Sequence, residues 1–164
     1  MKKIGFTGGS LISQLDNKAE MQFFFDCIEN YAVRGDVEKW ALITDRLYRK
    51  YLKLNEVYIA LSLMEEASKV FESIKISKVS LTRNLPKNTT LNLGDVTLSA
   101  ALARYFKAFK NVSEDAIMFY DKFDKYQSVK VIIADMVEST KWNKLSNEEY
   151  EAVVGEPLWS RHGG

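Results

Sequence analysis

The sequence predicts an α+β fold: a mainly helical chain, with about five or six helices, packed on a small β-sheet as a single domain spanning 1–164. Three observations predict it. Between Leu98 and Ala134, the residues Leu98, Leu102, Tyr105, Phe106 and Phe109 recur at three- and four-residue steps and draw one apolar stripe down a helix. Lys2 to Thr7 and Val129 to Ala134 are short β-prone runs near opposite ends of the chain and read as strands. No internal repeat, low-complexity tract or long linker divides the sequence.

Taken in order, the first strand ends at the turn Gly8-Gly9-Ser10. Asp16 or Asn17 caps a first helix with Met21, Phe24, Ile28 and Tyr31 on one face, and Gly35 stops it. Asp36 caps a second helix with the stripe Trp40, Ile43, Leu47 and Tyr51, and Lys50 and Lys53 suit its C-terminal dipole. A third helix, capped by Asn55, carries Val57, Leu61, Met64, Ala67, Phe71 and Ile74 at helical spacing. Lys78 to Thr82 reads as a short strand and Asn84 to Gly94 as a loop. In the central segment Ser113 is expected to cap a second helix carrying Ile117, Tyr120, Phe123 and Tyr126. Ser146-Asn147-Glu148-Glu149 is a capping-box sequence for a short helix through Val154, with a loose tail from about residue 156.

Composition sets the outer limits of function. The chain is 46% hydrophobic and 27% charged, an ordinary globular balance. At 164 residues it buries about 70% of the surface its unfolded chain exposes. The 23 basic and 22 acidic residues nearly cancel, so no global field favours nucleic acid or an anionic membrane. Cys27 is the only cysteine, which excludes an intramolecular disulfide and fits a reducing, cytoplasmic setting. Ile4 to Phe6 is too short an apolar run for a signal peptide, and no window is long and apolar enough for a membrane span.

Chemistry-bearing motifs are sparse. Gly5 to Ser10 begins like a dinucleotide-binding turn, but Leu11 stands where a third glycine is needed, so a strand-ending turn is the simpler reading. Cys27 and His162 are the sole thiol and imidazole; one lies on an apolar helix face and the other at the chain end, which suits neither a catalytic pair nor a zinc site. No cofactor, metal or catalytic residue is expected. Arg46, Arg49, Lys50 and Lys53 form a basic cluster that either binds nucleic acid or rides on a solvated face. Arg161-His162-Gly163-Gly164 superficially resembles the diglycine end of ubiquitin-like modifiers, on a body too helical for that fold.

The order of packing residues over many elements carries more. Gly5, Phe24-Phe25, Gly35 before Trp40, Leu47-Tyr48, Ala60-Leu61, Val79, Leu91-Asn92-Leu93, Thr97-Leu98 and Tyr105-Phe106 together resemble immunity proteins of bacterial polymorphic-toxin and contact-dependent growth inhibition systems, over roughly residues 2 to 133. The resemblance implies a cytoplasmic non-enzyme that binds and neutralises one cognate toxin domain, often a nuclease such as an RNase, in a 1:1 heterodimer without membrane or direct nucleic-acid contact. The near-neutral charge implies that the acids gather on one face or that the toxin is not notably basic. The alternatives are a small nucleotide-binding enzyme using the Gly5–Ser10 turn, or a nucleic-acid-binding module.

For the toxin-binding surface, the segment after Ala134 combines aromatic anchors, Trp142, Tyr150 and Trp159, with the acids Glu148, Glu149 and Glu151. Asp121 and Asp124 and the Glu65-Glu66 pair are next in line. The competing expectation is that these aromatics close the bottom of the core.

Overall fold

The computed structural model describes residues 3–9, 11–79, 96–122, 130–135 and 146–161. The expected loop at 84–94, and Phe123, Asp124, Tyr126, Trp142 and His162, lie outside the described residues.

The sheet has four strands in the order β2-β1-β4-β3, all neighbours antiparallel. They are β1 (Ile4–Gly8), β2 (Leu11–Gln14), β3 (Leu52–Lys53) and β4 (Lys130–Asp135). The two strands read from the sequence form the central pair, with Phe6 opposite Ile133 and Thr7 opposite Ile132. Alternation sends Ile4, Phe6, Val131 and Ile133 to one face and Ile132 and Ala134 to the other. Accordingly the first set joins the main core and the second a smaller cluster with Tyr51 and Tyr150.

Seven α-helices occur among the described residues. The first, α1 (Lys18–Cys27), starts at Asn17, whose side chain accepts from the Glu20 amide at 3.0 Å, and continues as a π-helical turn, Ile28–Ala32. Gly35, at φ 84°, takes the left-handed conformation that ends it. Next, α2 (Val37–Ala41) is capped by Asp36 and continues as the π-helical Leu42–Leu47. The long α3 (Leu54–Phe71) begins at Lys53 rather than Asn55, because Glu56 accepts from the Lys53 amide at 2.9 Å and puts Asn55 inside the first turn.

Of the strand expected over Lys78 to Thr82, residues 80–82 lie outside the described residues; Lys78 itself closes a 3-10 turn, Ile76–Lys78, while Lys75 bridges to Thr97. Thr97 caps the single turn α4 (Leu98–Ala101), and α5 (Ala103–Lys122) follows. The expected break at Ser113 is absent: α5 runs through it, and Ser113 is fully buried. Burial overrides the local capping preference of serine, and the break falls instead at Leu102, with φ −105° and ψ 13°.

Aromatic contacts tie the layers. Phe6 of β1 meets Phe109 of α5 edge-on at 5.6 Å, Phe24 stacks on Tyr105 at 5.1 Å, and Phe106 lies between Phe24 and Phe71 at 5.2 and 5.7 Å. At the start of α1, the buried Asp16 pairs with Lys3 and Arg104, and the buried Glu20 accepts from the Tyr105 hydroxyl at 3.4 Å. Burial beside Glu20 pushes that hydroxyl far above its ordinary value.

The C-terminal segment adds α6 (Asn147–Glu151) and α7 (Leu158–Arg161). The former stops short of Val154, and Gly155 at φ 82° turns the chain. The loose tail expected from about 156 is corrected: Trp159 is 4% exposed and Ser160 2%, so the chain stays packed through Ser160. Among the described residues no helix is long and apolar enough to cross a membrane.

Candidate protein-interaction surface

The acidic and aromatic residues of the C-terminal segment divide by helical phase. Ser146 accepts from the Glu149 amide at 3.2 Å and starts α6, which turns Glu148 and Glu149 outward and Tyr150 inward. Tyr150 is 3% exposed against the outer sheet face, its ring 5.9 Å from that of Tyr51 and 5.4 Å from the Lys130 ammonium. Burial drives the Tyr150 hydroxyl far above, and the Lys130 ammonium below, their ordinary values.

Glu151 reaches along the body and stays partly exposed to solvent. It accepts from Arg46 Nη1 at 2.7 Å, Lys50 Nζ at 3.3 Å and the Tyr51 hydroxyl at 3.2 Å. These bonds, the Arg46 guanidinium first, hold its carboxyl below the ordinary carboxylate range. Lys50 also donates to the Glu151 carbonyl at 3.0 Å, and Arg49 to the Gly155 carbonyl at 2.9 Å. The Trp159 indole donates to the Tyr48 carbonyl at 2.8 Å and sits edge-on to the Tyr48 ring at 5.4 Å. Residues 146–160 are therefore clasped to the end of the second helix.

This arrangement corrects the aromatic part of the expected surface. Tyr150 and Trp159 are core residues, because a short segment over an open sheet face buries its largest apolar groups. Glu151 is engaged in a partly exposed ion-pair network with Arg46 and Lys50 of the same chain. Glu148 and Glu149 remain as outward acids; Asp121 falls in the last turn of α5, and Trp142 and Asp124 lie outside the described residues.

The same region engages three members of the basic cluster. Arg46 serves Glu151 and Glu56, Arg49 serves Asp45 and Lys50 serves Glu151. The glycine turn likewise has a packing role. It leads into β2 rather than a helix, and a Cβ at Gly8 or Gly9 would stand 2.6 Å from the Val112 carbonyl or the Asp115 carboxylate of α5. Cys27 is buried, and burial pushes its thiol far above its ordinary value, which suppresses the reactive thiolate.

One concave feature was not anticipated from the sequence. α3 and α5 run antiparallel: Phe71 meets Phe106 near one end, and Leu61 and Glu114 line a common groove toward the other. The groove has a volume of about 400 Å³ over the buried Met64 and Phe109, with Leu61 and Phe106 partly exposed. Lys107, Lys110, Glu65 and Glu114 are exposed along its rim. The signal was available: Lys107, Lys110, Glu114 and Met118 lie one turn apart on the α5 face beside its apolar stripe.

No protein-family model, curated protein or solved structure matches this chain.

Proposed function

We propose that this chain is an immunity-type protein that binds one cognate toxin domain and blocks it by occupying its surface, with no chemistry of its own. One observation carries the reading. Phe24, Trp40, Leu47, Ala60, Leu98 and Tyr105, which carry the resemblance, are each at most 1% exposed and belong to one contiguous core. What supports the reading is that these residues act together as packing positions spread over five helices.

A rigid inhibitor loses little freedom on binding, so more of its contact energy appears as affinity. Here the ion-paired clasp and the aromatic core tie the helices to one another and to the sheet. The proposed compartment is the cytoplasm, where an incoming toxin would meet its target.

Co-expression supplies the test. The C-terminal domain encoded by the adjacent upstream gene is produced in bacterial cells with and without this chain. The reading expects toxicity without the chain, rescue with it, and a co-purified 1:1 complex. Undiminished toxicity at equal expression, or no complex, contradicts it.

A further inference from the structure

We infer that the α3/α5 groove is the docking site for the toxin domain, and that its occupant is an amphipathic segment of that domain. The segment inserts one large apolar side chain onto Met64 and Phe109, places an acidic side chain at Lys107 and Lys110, and places a basic one at Glu65. The inference rests on the proposed function and gives it a place on the molecule.

The floor supplies the contact energy. Interface centres are enriched in aromatic residues and methionine, and a thioether adapts to the shape of an incoming group. Beyond the groove, Tyr58 and Met118 continue the two helix faces at 51% and 50% exposure. They lie at the same end of the antiparallel pair and extend the apolar surface past the pocket.

The rim selects the class of partner. Lys107 and Glu65 make no ion pair among the described residues, and Lys110 reaches Glu114 only at 4.0 Å. Two cations and two anions sum to zero, so a polyanion or an anionic bilayer drawn to the lysines is repelled by Glu65 and Glu114. A protein segment carrying both signs satisfies all four. That also suits a near-neutral chain whose toxin is not strongly basic.

Affinity for the purified upstream-encoded toxin domain tests this by calorimetric titration of the full chain. The paired reversal of Lys107→Glu with Lys110→Glu, and separately Leu61→Trp to fill the groove, should each weaken binding by about thirtyfold or more. Both should keep the wild-type circular dichroism spectrum; both lysines are exposed, so the reversal leaves the packed core untouched. Glu148→Lys with Glu149→Lys should bind as wild type. Folded groove variants with unchanged affinity, or a loss confined to the Glu148/Glu149 pair, overturn the site and leave the function standing. A wild-type chain that binds no toxin domain overturns the function and the site together. Wild-type binding to anionic vesicles or single-stranded RNA that the lysine reversal abolishes also overturns the protein occupant.

Discussion

The C-terminal segment and the α3/α5 pair reverse the roles their compositions suggest. Residues 146–160 carry acids and large aromatics in the proportions of a recognition surface, yet the aromatics face inward and Glu151 is bound by three groups of the chain itself. α3 and α5 each send one face into the main core, yet their adjoining outer faces leave an apolar groove with a mixed-charge rim. Composition reports what a segment contains. Helical phase and neighbouring elements decide which way it points.

Truncating the inner face of α5 is the strongest way to break this comparison. Phe109→Ala removes a fully buried ring that meets Phe6, and should lower unfolding free energy by about 4 kcal/mol. Lys107→Ala on the rim should change it by less than about 0.5 kcal/mol. Urea unfolding of the two variants measures the contrast, and similar losses would erase the distinction between the faces.

In the C-terminal segment, Trp159→Ala should lower stability by about 3 kcal/mol, since it empties a packed site and orphans the Tyr48 carbonyl. A truly loose tail predicts no change in the denaturation midpoint.

Glu151→Gln sharpens the account of the clasp. The side chain is 40% exposed, so solvent screening holds the expected loss at neutral pH to about 0.5 to 1 kcal/mol. Its folded pKa is lowered, so the carboxylate stabilises the fold above the unfolded value of about 4.3. The difference between wild type and variant should therefore shrink as pH falls through the lowered folded value. A difference that stays constant from pH 6 to pH 3 removes the ion pairs from the explanation.

The smallest effect is chemical. Cys27→Ala should leave toxin protection intact, and the wild-type thiol should react with a disulfide reagent only when the protein unfolds. Rapid labelling of the native protein contradicts that burial.

Local signals were legible where one side chain decides the backbone. Asn17, Asp36 and Ser146 cap their helices as their hydrogen-bonding side chains require, and Gly35 ends the first helix through its left-handed φ. Where tertiary burial decides, local preference misled: Ser113 is absorbed inside α5, and the exposed β2 with Ser13 and Gln14 lacks a strand's alternating pattern. The C-terminal clasp was least legible. Nothing in the order Tyr150, Glu151, Trp159 announces that Arg46, Lys50 and Tyr48 wait to receive them about a hundred residues earlier.

Covalent footprinting of side chains in the toxin complex tests the central claim most directly. Lys107 and Lys110 should lose reactivity toward an amine reagent, and Glu65 and Glu114 toward a carboxyl reagent, when the toxin domain is bound, while Glu148 and Glu149 keep theirs. Protection of Glu148 and Glu149 with Lys107 and Lys110 still reactive would contradict the account and return the interface to the C-terminal segment.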